Sequence, residues 1–305
     1  MTVRPLRPVL LLLAAALLAG CSAAPGEQPA PDPGGREIAH AMGTTTVPES
    51  PARVVVLDSQ ELDVALSLGV EPVGVASAAA DGALPSYLEV PDGITVVGPM
   101  ATPDLEAIAA LAPDLILSSK LRHEALYPQL SAIAPTVFAE RTGDAWKENL
   151  ALYAGALNRE QHGRDLLDAH TARAAEVGDR LGAADRTVSV VRFLPEEIRL
   201  YGPRSFVGSV LADAGFPQPE IVRDEPDIAV RIGPEQIGSA DADVVYVTSY
   251  GLADDQPFAQ VAPLWETLPA VREGRAFTVD DDAWMLAIGP TGAGLILDDL
   301  ERTLG

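Results

Sequence analysis

The sequence predicts an α/β protein of two lobes, each with a mostly parallel central sheet, joined by one long α-helix. Three observations predict it. From Val54 onward, short apolar runs rich in Val and Ile alternate with helical patterns, as strands buried on both faces do. Between Asp144 and Leu181 the alternation stops and only helical spacing is found. It then resumes, and a short repeat relates the halves. Glu106-Ala-Ile leads, eight residues after the Glu, to Asp114-Leu-Ile-Leu-Ser-Ser, and Glu235-Gln-Ile leads at the same offset to Asp243-Val-Val-Tyr-Val-Thr-Ser.

The elements follow in order. Residues 54–57 form a strand, and a helix over 61–68 is stopped by Gly69. Residues 73–75 and 94–97 are strands. Thr102 as N-cap, with Pro103 in the first helical position, opens a helix through Leu111. Strands at 115–117 and 136–138 flank a helix over 123–130. Trp146, Leu150, Tyr153 and Leu157 mark one helix of the strand-free stretch. Leu166, Leu167, Ala174 and Val177 mark a second of about 24 residues, set apart at Asn158. Strands at 187–193 and 198–201 come next, then a helix over 206–214 closed by Gly215. Strands at 244–248 and 276–279 precede a last helix over 292–304.

Composition bounds the function. At roughly 100–200 residues per domain, 305 residues allow two domains or one large one. An apolar share of 48% excludes disorder for most of the length. A single cysteine excludes a disulfide framework and thiolate metal centres. With 21 basic against 44 acidic residues, the net charge of −23 argues against nucleic-acid binding.

Residues 1–20 read as an export signal. Arg4 and Arg7 precede an apolar run from Val9 to Leu18 that reaches only about 15 Å, half of a bilayer core. The run ends in Leu18-Ala19-Gly20-Cys21, which resembles the bacterial lipobox and implies a diacylated Cys21 as the first mature residue. Cleavage there removes two arginines and leaves a net charge of −25. The Pro- and Gly-rich stretch to Arg36 is a flexible tether. The expected organisation is signal 1–20, lipidated Cys and tether 21–36, N-terminal lobe 37–157, linking helix 158–183 and C-terminal lobe 184–305. Membrane contact is expected through the lipid alone.

Neither a Gly-x-Ser-x-Gly elbow nor a His-Glu-x-x-His motif occurs. Gly289-Pro-Thr-Gly-Ala-Gly294 lacks the lysine of a phosphate loop and reads as a helix N-terminus that needs glycines. His40, His123, His162 and His170 lie far apart, the last two reading as solvated. Asp280, Asp281 and Asp282 read as a solvated loop. No clustered metal ligands are visible, and no enzyme activity is expected.

The chain resembles the class III substrate-binding lipoproteins of bacterial ABC importers, in the iron–siderophore branch. The resemblance rests on His40-Ala-Met-Gly-Thr-Thr-Thr, Pro51-Ala-Arg-Val-Val-Val-Leu, Thr102-Pro-Asp-Leu-Glu-Ala-Ile and Pro113-Asp-Leu-Ile-Leu. It continues through Val191-Arg-Phe-Leu-Pro, Pro263-Leu-Trp and Asp282-Ala-Trp-Met-Leu-Ala-Ile-Gly-Pro-Thr-Gly-Ala, and covers the chain from about residue 37. It implies two Rossmann-like lobes around a rigid helix, with ligand held between them. The implied ligand is a ferric siderophore that saturates its own iron, so no protein–metal ligand and no cofactor are expected. The implied partners are permease subunits and their ATPase, with the binding protein a monomer. Met100 stands where hydroxamate binders carry a ligand arginine, so another arginine must take over. The charge of the whole chain favours a neutral or cationic hydroxamate such as a ferrioxamine; cobalamin or haem on the same scaffold, or an exported α/β hydrolase, are the alternatives.

The candidate ligand residues lie at strand ends. Arg192 closes an apolar run, where an arginine is rarely structural without a carboxylate partner. Arg199 and Tyr201 share one face of the next strand, with Arg199 open to either a solvated edge or the ligand. Trp284 follows three aspartates and reads as a stacking surface, while Trp146 fits either core or cleft. Lys120, Arg122 and Tyr250 follow strand ends of the two lobes. By the resemblance, Glu106 and Glu235 are the glutamates that dock one lobe each onto the permease.

Overall fold

The structure, a computed structural model, describes Thr2 and residues 35–79, 81–250 and 261–305. Both lobes belong to one compact unit, Asp32–Gly305. Thr2 apart, the expected signal, Cys21 and the tether as far as Gly34 lie outside the described residues. Among the described residues no helix is long and apolar enough to cross a membrane.

The unit opens with an antiparallel hairpin, β1 (Arg36–His40) and β2 (Gly43–Val47), that the sequence pattern does not announce. Arg36, expected in the tether, belongs to β1. Its guanidinium donates to the carbonyls of Gly155 at 2.5 Å and Ala156 at 3.2 Å, binding the hairpin to a helix end.

The N-terminal lobe holds β3 (Val54–Val56), β4 (Gly74–Ser77), β5 (Thr95–Pro99), β6 (Leu115–Ser119) and β7 (Thr136–Ala139). They form one parallel sheet in the order β5-β4-β3-β6-β7. The C-terminal lobe holds β8 (Val188–Phe193), β9 (Ile198–Tyr201), β10 (Ala229–Ile232), β11 (Val244–Ser249) and β12 (Ala276–Thr278), in the order β10-β9-β8-β11-β12. The two orders are the same. Each lobe puts its first strand in the centre, the next two to one side and the last two to the other. That doubly wound order reverses beside the central strand, where α/β sheets bind ligands at strand C-termini. Only β9 is reversed; it runs antiparallel to β8 and β10, so β10 points the same way as β8.

The repeat has a structural meaning. Asp114 accepts from the backbone N–H of Ala52 and Arg53, at 2.8 and 2.9 Å, just before β3. Asp243 accepts from the Thr187 N–H at 2.8 Å, just before β8. Each carboxylate fixes the start of a central strand beside the strand that its own residue begins. Glu106 and Glu235 are both exposed, each in the first turn of the segment after the outer strand of its sheet.

Two helix starts differ from expectation. The helix after β5 begins at Leu105, capped by Asp104, which accepts from Glu106 and Ala107 N–H at 2.9 and 3.1 Å. A carboxylate reaches two free N–H groups where Thr102 would reach one. The single helix expected at 123–130 is broken into Lys120–His123, a 3₁₀ turn and Tyr127–Ile133, with Pro128 in the first turn of the last piece. Proline has no N–H to bond back with, so the helix restarts there.

The helix Trp146–Ala156 ends before Asn158, which turns the chain at φ 55°, and Glu160–Leu181 then links the lobes over 22 residues. Ala174, Val177 and Leu181 share one core with Val54, Val56, Leu115 and Leu117 of the first sheet and Val188, Val190, Val244 and Tyr246 of the second. Separating the lobes would expose that core, at roughly 1.5–3 kcal/mol per large side chain. A polar lock adds to it. Asp63, on the N-terminal lobe's helix Ser59–Ser67, accepts from Thr291 N–H at 3.1 Å and Gly292 N–H at 3.2 Å, at the start of the last helix, Pro290–Leu304. Gly289 is required by this approach, and Gly292 by the turn that precedes the helix. A Cβ on Gly289 would stand 2.6 Å from the Asp63 carboxyl carbon, and one on Gly292 would stand 2.1 Å from the Ala287 carbonyl oxygen.

Candidate functional site

A cleft of about 400 Å³ opens between the lobes, at the C-terminal ends of their central strands. The C-terminal sheet supplies its positive wall. Register sets Arg192 of β8 opposite Arg199 of β9, and Arg199 opposite Arg231 of β10. Directly opposed residues share a face, so three arginines form a row along the upper edge of the sheet. Arg192 and Arg199 line the cleft; Arg231, 69% exposed, continues the row beyond it. Arg122 approaches from the N-terminal lobe, and Met100, Tyr201 and Tyr250 add less polar surface.

Every one of these arginines has a carboxylate. Arg192, only 8% exposed, forks onto Asp281 through Nε at 2.8 Å and Nη2 at 2.5 Å. Thr248 donates to the same carboxylate at 2.7 Å. The remaining Nη1 reaches the Tyr201 hydroxyl at 3.4 Å, and the guanidinium lies 5.2 Å from the centre of the Tyr250 ring. Arg199 donates through Nε to Glu197 Oε1 at 2.6 Å and through Nη2 to the same oxygen. Arg231 Nε takes Glu197 Oε2 at 2.8 Å. Arg122 Nε donates at 2.7 Å to Asp58, which is 1% exposed and caps the helix Ser59–Ser67.

Behind Asp58 the N-terminal lobe buries further ionisable groups. Burial first, then the Asp58 charge, pushes the Glu61 carboxyl from 4.5 up to about 8. The Tyr153 hydroxyl lies 2.6 Å from Glu61 and 2.8 Å from the Ser118 carbonyl. A phenol has one proton, so a neutral Glu61 satisfies both contacts. Burial pulls His123 below its ordinary value. Its Nε2 donates to the Met100 carbonyl at 2.7 Å and its Nδ1 accepts from Ser118 at 2.6 Å, which holds the Met100 edge of the cleft in place.

The structure brings Arg122, Arg192, Arg199, Tyr201 and Tyr250 together, corrects the readings of Trp284, His170 and Lys120, and puts Trp146, left open between core and cleft, in the core. Trp284 is 0% exposed; its indole donates to Asp299 at 2.8 Å and its ring lies 4.5 Å from Tyr246. It backs the cleft floor and has no face left for stacking. Trp146 is core, donating to Ser209 at 3.1 Å and meeting His170 and Phe206 edge-on. His170 is buried with it and bonds Asp213 at 2.9 Å, whereas His162 is exposed. Lys120 turns to Glu140 at 3.1 Å and does not line the cleft.

Of the three aspartates, Asp280 is exposed, whereas Asp281 and Asp282 are partly buried and engaged, which corrects the solvated-loop reading for those two. Asp280 accepts from Ala283 N–H at 2.9 Å, Asp281 holds Arg192, and Ser86 donates to Asp282 at 3.3 Å. Sequence reasoning missed Asp58, Glu197, Arg231 and Asp281. Only β10 pairing beside β9 brings Arg231 into the row, and β10 itself carried no strong strand signal.

The sequence pattern of the periplasmic binding protein family matches residues 54–283. The chain belongs to that family. Among its relatives is the "probable siderophore-binding lipoprotein YfiY" of Bacillus subtilis, 38% identical over 87% of this chain and 86% of that one. The Fe(3+)-citrate-binding protein YfmC of the same organism is 30% identical over 90% and 88%. Staphylococcus aureus SirA, solved with staphyloferrin B, superposes at a TM-score of 0.76 with 30% identity, over 88% of this chain and 98% of that one. As in the periplasmic binding proteins of class III, the α/β fold here has a parallel central sheet flanked by helices, so the resemblance read from the motifs holds for family and fold.

Proposed function

We propose that this chain captures a ferric siderophore in the cleft and hands it to an ABC importer, without catalysing a reaction. The row Arg192–Arg199–Arg231, faced by Arg122, carries the reading. Arginine forks recognise planar carboxylates and other charged oxygens, and a half-enclosed site strengthens each contact. The ligand class that uses this wall best is an anionic ferric complex with carboxylate arms. The charge of the whole molecule is no guide here, because an oxygen in the cleft feels the guanidiniums beside it before the acidic exterior, which salt screens. The relative named for binding ferric citrate supports the same class.

One observation favours a second reading within the same function. Each cleft arginine is already balanced by a carboxylate, and the tyrosines with Met100 offer surface to methylene arms. A neutral ferric hydroxamate would use the cleft that way. Titrating the protein with ferric citrate and with ferrioxamine, read by tryptophan fluorescence, separates the two; Trp284 under the floor is the reporter. Tight binding of neither would remove both.

Delivery needs anchors on both lobes. Glu106 and Glu235 occupy equivalent exposed positions, which suits a permease of two related subunits. In this reading Cys21 carries the lipid that keeps the protein at the outer face of the cytoplasmic membrane.

A further inference from the structure

We propose that Glu197 is a built-in substitute for a ligand carboxylate, holding Arg199 at the cleft and Arg231 just beyond it, and giving way when an anionic ligand arrives. The inference rests on the proposed function and names how that site selects its cargo.

The three carboxylates that meet the arginines are not alike. Asp58 caps a helix and is buried, and Asp281 is held by Thr248 as well as by Arg192. Neither can leave without abandoning a buried guanidinium or a helix start. Glu197 has no such second duty. It sits at the end of the short turn that joins β8 to β9, its side chain 26% exposed, and among the described residues its carboxylate is bonded only to the two arginines. Arg199 takes one oxygen and Arg231 the other. That is the arrangement in which two neighbouring guanidiniums would share one carboxylate of a ligand.

Arg199 and Glu197 are 25% and 26% exposed and Arg231 is 69% exposed, so solvent reaches these pairs and an equivalent carboxylate can take the place of Glu197. An incoming carboxylate replaces Glu197 at little net loss, while a neutral ligand gains nothing by displacing it. Glu197 would therefore lower affinity for all anions, leaving only those with several carboxylates bound, and would return to speed release. It sets specificity through competition, at the cost of absolute affinity.

The test compares wild type, Glu197→Gln and Glu196→Gln in the whole chain, titrated with ferric citrate, iron-free citrate and neutral ferrioxamine. Glu196 lies on the same turn, is exposed, and touches none of the arginines among the described residues. Glu197→Gln is expected to tighten ferric citrate at least about tenfold and slow its release, with ferrioxamine changed less than about twofold. Glu196→Gln is expected to change neither by more than about twofold. Unchanged or weaker citrate binding in Glu197→Gln overturns the proposal, as does an equal gain in Glu196→Gln. If wild type binds no ferric carboxylate at all, the carboxylate reading of the proposed function fails by itself. The displacement idea is then judged on iron-free citrate, where a gain in Glu197→Gln supports it and no gain overturns it.

Discussion

Arg192 and Trp284 show how differently two residues at one cleft can act. Arg192 keeps one edge on Asp281 and offers the other to the cleft, so Arg192→Ala is expected to weaken ligand binding by at least about tenfold. Trp284 is wholly buried, and Trp284→Ala is expected to cost about 3–5 kcal/mol of stability, read as a lower melting temperature. A normal melting temperature with lost binding would return it to the ligand. Glu61 gives a pH signature. Its folded-state value lies above the unfolded one, so the folded chain holds the proton more tightly. That contribution is full below pH 4.5 and is lost as the pH rises toward about 8. Thermal melts across that window should show wild type losing stability with rising pH and Glu61→Gln losing less. Equal slopes would mean that Glu61 is ionised in the fold.

At the scale of elements, the last helix and the helix Ser59–Ser67 tie the lobes through Asp63. Asp63→Ala strands the N–H groups of Thr291 and Gly292 in a buried place and should cost about 1–3 kcal/mol in chemical denaturation. No loss would show that water replaces the carboxylate there. This scale was the most legible in the sequence. The central strands are continuous apolar runs, the linking helix follows the spacing of Ala174 and Val177, and the glycines at 289 and 292 mark a helix start. What stayed hidden depends on pairing across long sequence distances. Nothing local shows that Asp281 rather than Asp280 or Asp282 meets Arg192, 89 residues away, or that Arg231 joins the row through β10. Trp284 read as exposed because its neighbours are acidic, yet Asp299 from the last helix takes its indole N–H and buries it.

For the whole molecule, the proposed capture and delivery should be separable. Glu106 and Glu235 stand away from the arginine wall, so the double Ala variant is expected to bind siderophore normally while uptake by cells is lost. Normal uptake would leave the two glutamates as residues of helix first turns. Cys21→Ser should release the protein from membranes with affinity intact, and retention would contradict the lipid anchor. The central claim, that the arginine row captures an anionic ferric siderophore, is tested most directly by one titration. Ferric citrate is titrated into wild type and into the Arg192→Ala/Arg199→Ala double variant, with folding checked by melting. The account predicts saturable binding to wild type and a loss of at least about a hundredfold in the variant. Equal affinity in the two folded proteins would contradict it.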